Sequence, residues 1–364
     1  MIYFIMGAAP LLIIATAIAC TTATTVSLQW IDAAATSKAA STYLSVNIDS
    51  GSLANNLSFV DPALRELTRN LVRAAPTQLR IGGGAADNLA FTGPRGARGH
   101  CGGVMPGIDV CVDAAYVDEI MDFVAATGVE LVWDLNCASR DVANAWNATN
   151  SIALLDHIAA SDNKNGLPTA WQLGNEVEDW YKHSPPNNLT GAALARDYAA
   201  LRVLLAERSM LSQIVYGPDA CCEERRPILE DFARAAASAS PPLVAAVTVH
   251  AYPIPRAAND SCLIAAYTSK AAMETLRPGL ISYAAAVSPL RAVGVPIVLG
   301  ETATSAHGGC DGLSNAFVAG FTFIYELGIV GEAGFSQLNR QDLVGCGEDY
   351  RLERWLAVSH ARFL

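Results

Sequence analysis

Two short apolar runs in this 364-residue chain end in a glutamate. One is Trp171-Gln172-Leu173-Gly174-Asn175-Glu176, the other Pro296-Ile297-Val298-Leu299-Gly300-Glu301. On a barrel scaffold a carboxyl at the C-terminal end of a strand is placed for chemistry, because the active face is built from those ends. Two such carboxyls from distant parts of the chain could meet over one substrate, and glycosidic cleavage needs that pair. One carboxylic acid protonates the departing oxygen while an ionised carboxylate attacks the anomeric carbon, and retaining enzymes hold the two about 5–5.5 Å apart. Asn175, beside the first glutamate, can donate to a sugar hydroxyl next to the anomeric carbon, a bond that strengthens in the transition state. Taken singly, either glutamate could instead cap a following helix or pair with an arginine. Together at two strand ends, with the asparagine, they favour catalysis.

Bringing two strand ends together requires a parallel sheet, and short β-type runs do alternate with longer helical patterns along the chain. Strands are expected over Tyr43 to Ile48, Gln78 to Ile81, Glu130 to Leu135, Ala170 to Leu173, Ile214 to Tyr216, Ala246 to Val249, Ile297 to Leu299 and Gly334 to Gln337. Helices are expected over Pro62 to Ala75, Tyr116 to Thr127, Ala192 to Arg208, Ile228 to Ala237, Lys270 to Val287 and Ser314 to Leu327, with a last one over Leu352 to Leu364. Asp61 before Pro62 is a cap and first-turn pair, and Gly128 after Thr127 a helix stop. Eight such units close naturally as an α/β (β/α)8 TIM barrel. The competing doubly wound sheet lacks its phosphate-cradling glycine pattern after the first strand. The glycine-rich stretch Thr92 to Val110 reads as an irregular surface loop.

Composition bounds the partners. Hydrophobic residues make up 52% of the chain and charged residues 16%, a globular balance. The net charge of −11, with only 24 Lys and Arg, argues against nucleic acid and against sulfated polysaccharide. Arg225 and Arg226 form the densest basic cluster, and Glu223 and Glu224 directly precede them. Residues 2–19 are almost wholly apolar and small polar residues follow, so residues 1–25 read as a signal peptide or an uncleaved N-terminal anchor. Either places the remainder outside the cytosol, and membrane contact is expected only through that segment. Of nine cysteines, setting aside Cys20 leaves an even number that could pair. Cys101 with Cys111 and Cys310 with Cys346 are the nearest candidates. No CxxC pair of zinc-ribbon type occurs, so a structural metal is not expected, and no cofactor is expected either. Asn56, Asn147, Asn188 and Asn259 begin Asn-x-Ser/Thr sequons, acceptor sites in a eukaryotic secretory pathway.

The motifs, in order, resemble glycoside hydrolase family 79, the heparanase and β-glucuronidase family. They are YLSVNID from Tyr43, LRIGGGAADNLAF from Leu79, Trp133-Asp134-Leu135-Asn136 with Ala145-Trp146-Asn147, LGNE ending at Glu176, VTVHAY ending at Tyr252, LGET from Leu299, and Arg340-Gln341 followed by Gly345 to Tyr350. The resemblance runs from about Tyr43 to Leu364; the bare glutamate pair is common to a whole clan, whereas the ordered set is specific. It implies that Glu176 is the acid/base, Glu301 the nucleophile and Asn175 its hydroxyl partner. It also implies that Asp49, His250, Tyr252, Gln341, Gly347 and Tyr350 line the sugar site, with a substrate carboxylate held by Tyr350, Gln341 and a backbone NH at Gly347. Such recognition requires no arginine fork. Read as residues alone, His250 could equally brace Glu301 or Tyr252, Tyr252 could orient the nucleophile, and Asp49 could cap a turn.

The chain also departs from the family pattern. Val177 replaces the proline that follows the acid in mammalian heparanases, and one residue is added between Gly347 and Tyr350. The stretch from Phe91 to Asp113 is much shorter than the excised linker of those heparanases, which predicts a single unprocessed chain. The basic heparin-binding clusters are missing, which points to a less charged glucuronide. The barrel is expected over residues 40–364, without the family's C-terminal β-sandwich. The expected activity is retaining cleavage of glucuronide linkages in an oligosaccharide or glycoconjugate, in a secreted or lysosomal setting. Two alternatives stand beside it: a clan glycosidase acting on arabinosides, glucosides or xylosides, and a non-catalytic carbohydrate-binding barrel.

Overall fold

Alternation along the strands decides what the sheet encloses. Leu79, Ile81, Leu131, Trp133, Trp171, Leu173, Val247, Val249 and Leu338 belong to one continuous apolar core, while the intervening Gln78, Arg80, Asp134, Gln172, Thr248, His250, Gln337 and Asn339 are equally buried but polar. A strand sends successive side chains to opposite faces, so one face packs beneath helices and the other turns inward. The computed structural model describes residues 40–102, 108–180, 189–221, 225–254, 263–306 and 308–344. Its main sheet has eight parallel strands: β1 (Leu44–Asp49), β2 (Gln78–Gly82), β3 (Glu130–Leu135), β4 (Ala170–Leu173), β5 (Tyr216–Ala220), β6 (Ala246–His250), β7 (Ile297–Thr302) and β8 (Gln337–Arg340). They are ordered β4-β3-β2-β1-β8-β7-β6-β5. The bridge between Trp171 and Val215 joins the two edges, so the sheet closes into the expected (β/α)8 barrel.

Around it lie α1 (Pro62–Ala74), α2 (Ala114–Thr127), α3 (Thr149–Ala160), α4 (Gly191–Ala206), α5 (Arg226–Ser238), α6 (Leu276–Ala286) and α7 (Ala319–Glu332). The Asp61 carboxylate accepts from the Ala63 and Leu64 amides as the cap of α1, and Gly128 ends α2 in the left-handed conformation (φ 75°). The helix expected over Leu352 to Leu364 and the leader both lie outside the described residues. Among the described residues no helix is long and apolar enough to cross a membrane.

The barrel interior is hydrogen-bonded where most such barrels are filled by branched aliphatics. Thr42 Oγ1 donates to Gln337 Oε1 (2.7 Å), Gln337 Nε2 to Asn339 Oδ1 (2.8 Å), Asn339 Nδ2 to Asn47 Oδ1 (3.2 Å) and Asn47 Nδ2 to the Gly300 carbonyl (3.0 Å). Each buried amide thereby meets a partner, as burial demands.

Several boundaries differ from the expected ones. The fifth strand occupies Tyr216–Ala220 rather than Ile214 to Tyr216, because Gly217-Pro218-Asp219 is extended in the ladder with β6. The eighth begins at Gln337, where Gly334 to Gln337 was expected; Gly334 has φ 84° and Phe335 packs in the apolar core just before the strand. The helix expected over Lys270 to Val287 splits into Lys270–Met273 and α6, which restarts two residues before Pro278, where a missing N–H costs nothing. The helix expected from Ser314 starts at Ala319, because Ser314 and Asn315 bond back into the preceding loop. Within Thr92 to Val110, Gly99–His100 pairs with Val110–Val112, which also pairs with Leu89–Phe91, and the Cys101–Cys111 disulfide pins this small sheet. Cys221 and Cys310 are also disulfide-bonded, and Cys346 lies outside the described residues. Cys137 is buried and free, so the eight cysteines beyond Cys20 do not all pair.

Candidate active site

The turn after β4 is held in a conformation it would not choose alone. Gly174 has φ 81°, and a Cβ there would come within 2.5 Å of Cys137 Cβ. Glu176 has φ 50°, a left-handed conformation costing a side-chain-bearing residue about 1 kcal/mol or more. Three bonds fix it: Gly174 N to Leu135 O (2.9 Å), Asn175 N to Asp87 Oδ2 (2.9 Å) and Glu176 N to Asp219 O (2.9 Å). The Glu176 carboxyl then faces His250 at the end of β6, with Nδ1 2.9 Å from Oε1.

On the opposite side β7 shifts register between Leu299 and Glu301 against β6, an irregularity that re-aims the following side chain. Tyr252 donates its hydroxyl to Glu301 Oε1 (2.6 Å) and Arg80 Nη1 donates to Oε2 (3.0 Å). An oxygen of Glu176, a ring nitrogen of His250 and an oxygen of Glu301 all lie within 4.8 Å of one another. The two glutamates expected to act together are therefore together. Glu301 is the more buried, its side chain 11% exposed against 29% for Glu176.

Arg80, on the inward face of β2, binds the floor of this site. Its Nε donates to Gln172 Oε1 (2.8 Å), and its Nη2 to Asn175 Oδ1 (2.7 Å) and Asp219 Oδ2 (2.7 Å), with Asp134 Oδ2 at 3.4 Å. Burial opposes the guanidinium charge, yet Asp219, Asp134 and Glu301 outweigh it and keep Arg80 charged. Burial pushes Asp134 well above the usual carboxylate range in spite of Arg80. For Asp219 burial is overcome by Arg80 and His250, which bring it down to about 2. His250 has Nε2 3.5 Å from Asp219 Oδ1; burial works against its charge, but Glu301 and Asp219 push it up to about 10.

A pH dependence follows from His250. Its folded pKa lies above the ordinary 6.5, so its contribution to stability is complete below about pH 6.5, declines as pH rises and is gone above about pH 10. Urea midpoints measured from pH 6 to 10 should fall for the parent protein and fall less for His250→Gln; parallel curves would refute this.

Asp49 lies at the end of β1, where Gln341 Nε2 donates to Oδ2 (3.1 Å) and the Gly51 amide to Oδ1 (2.7 Å). Gly83, with φ 100°, passes so close that a Cβ would meet Asp49 Oδ2 at 2.4 Å. Asp49, Asn175, His250, Tyr252 and Gln341 thus gather at the C-terminal ends of β1, β4, β6 and β8, while Gly347 and Tyr350 lie outside the described residues. His250 is 2% exposed, and its nearest partners are Glu176 (Nδ1, 2.9 Å) and Asp219 (Nε2, 3.5 Å), with Glu301 farther at 3.8 Å, so it faces the acid/base candidate more closely than the Glu301 or Tyr252 that a brace was expected to hold. Tyr252 holds the nucleophile candidate. Reading the sequence for site residues passed over Arg80, Asp134 and Asp219; for Arg80 and Asp134 the available signal was a charged residue at an inward position of an otherwise apolar strand.

No family model matches the chain. It is 26% identical over 235 residues to the heparanase of Mus musculus, which covers 64% of this chain and 41% of that protein. Heparanases are among its sequence relatives. A further relative, "Inactive heparanase-2" of Homo sapiens, is 25% identical over 268 residues, 70% of this chain and 43% of that protein. The chain thus spans about two fifths of the length of these relatives. Among solved structures, a 4-O-α-L-rhamnosyl-β-D-glucuronidase from Fusarium oxysporum superposes with a TM-score of 0.62 at 15% identity, covering 86% of this chain and 65% of that one. That likeness shows the barrel fold.

Proposed function

We propose that this chain hydrolyses β-glucuronide linkages with retention of configuration, through a covalent glycosyl-enzyme intermediate. The observation that carries the reading is the separation of the two carboxyls, whose oxygens approach within 4.8 Å. So close an approach fits a retaining pair, whose carboxyls stand about 5–5.5 Å apart, better than an inverting pair, which stands about 6.5–9.5 Å apart to admit water. Glu301, with donors on both oxygens, suits the nucleophile. Glu176 Oε1 faces His250 Nδ1–H, which leaves Oε2 to carry the transferable proton. In the first step a Glu301 oxygen bonds to the anomeric carbon as the bond to the leaving oxygen breaks, and Glu176 gives that oxygen its proton. In the second, Glu176 takes a proton from water, the water oxygen bonds to the anomeric carbon, and Glu301 departs.

Asn175 has its Oδ1 committed to Arg80, so its amide nitrogen is left to donate to the neighbouring sugar hydroxyl. Asp49, Tyr252 and Gln341, with Gly347 and Tyr350, are read as the rest of the sugar site, and the substrate as a glycan carrying glucuronic acid. The names of the heparanase relatives and of the Fusarium glucuronidase support that choice. The disulfides suit an oxidising, secretory or lysosomal setting.

A panel of aryl β-glucuronide, α-arabinofuranoside, β-glucoside and β-xyloside tests the reading, with the anomer first released followed by NMR. Release of β-glucuronic acid from the glucuronide is expected. Release of the α-anomer would refute retention, and turnover of another member alone would refute the substrate. Binding without turnover would make the chain a carbohydrate-binding barrel.

A further inference from the structure

We propose that Glu178 is a positioning residue for the acid/base, tying the chain just beyond Glu176 to the end of β5. The inference rests on reading Glu176 as the acid/base. Glu178 lies in the short helix Val177–Trp180 that follows the left-handed Glu176, and is 3% exposed. Its Oε1 accepts the backbone N–H of Cys221, the residue directly after β5. The three bonds described above fix the turn up to Glu176; on its far side, the tie to a neighbouring strand among the described residues is that of Glu178. A left-handed residue keeps its conformation only while its surroundings over-determine it. Freeing the downstream flank lets φ of Glu176 relax, and the Cα–Cβ vector that aims its carboxyl at His250 and the leaving oxygen turns with it.

The side-chain chemistry agrees. A buried carboxylate is costly unless paired, and the described titratable groups facing Glu178 are Glu176 and His250. Burial above all pushes Glu178 up to about 8, so near neutral pH it is an uncharged acceptor. Glutamine has the same shape and the same accepting oxygen.

The test compares two aryl β-glucuronides, one with an unactivated phenol and one with dinitrophenol as leaving group. Only the first depends on proton delivery, worth about 10²–10⁴-fold. Glu178→Met and Glu178→Ala should lose about tenfold or more in kcat/KM, which reports the glycosylation step alone, on the phenol substrate and less than about threefold on the dinitrophenol one, against that 10²–10⁴ range. Glu178→Gln should restore the parent ratio. Because both rates come from one sample, their ratio does not depend on how much variant is folded. Equal losses on both substrates, or a Gln variant that resembles Met, would overturn the positioning role while leaving the glycosidase reading in place. A parent protein that turns over neither substrate would remove both.

Discussion

Glu301→Gln should reduce kcat on an activated aryl β-glucuronide by about 10⁴-fold, the scale of removing a covalent nucleophile. The amide keeps the volume and an oxygen for either Arg80 or Tyr252, so folding should change little; the variant loses the electron pair that attacks the anomeric carbon. Glycine at 301 vacates that space, and azide entering it would displace the aglycone in a single step, yielding the inverted α-glucuronosyl azide. Alanine at Glu176 vacates the opposite side, where azide can intercept only the intermediate and must yield the β-product. The configuration of the two azides assigns the two roles independently of rate. A Glu301→Gln variant within about tenfold of the parent would exclude a covalent nucleophile at this position.

The second large effect concerns stability. Arg80→Met should cost about 3–5 kcal/mol, because it leaves buried Asp219 and Glu301 without the cation that neutralises them. That is a large share of a typical folding free energy. Arg80→Lys keeps the charge but not the planar fork reaching Gln172, Asn175, Asp219 and Glu301, so it should fall between the two. Chemical denaturation with the slope monitored decides the matter: an Arg80→Met midpoint equal to that of the parent would show that the buried carboxylates do not need it.

How much of this was readable beforehand depended on the face each residue occupies. β4 and β7 announced themselves because Leu173 and Leu299 lie in apolar runs that stop at a glutamate. β5 and β8 were placed about two and three residues too early, since Pro218, Asp219, Asn339 and Arg340 do not look like strand residues until the enclosed face is known to be polar. The same expectation hid Arg80, set between Leu79 and Ile81, and Asp134, quoted within a motif without a role. Their partners come from other strands, and no spacing along the chain reveals a contact made across a closed sheet.

The run of amides from Thr42 through Gln337, Asn339 and Asn47 has a direction: every side chain hands a hydrogen to the next, and the last reaches the carbonyl just ahead of Glu301. Rotating one amide by half a turn breaks two bonds at once, and trading one for an aliphatic strands a neighbour at a cost of about 1–3 kcal/mol. Such positions can change only in concert, so descendants of this protein should inherit or discard the whole chain of amides as a unit.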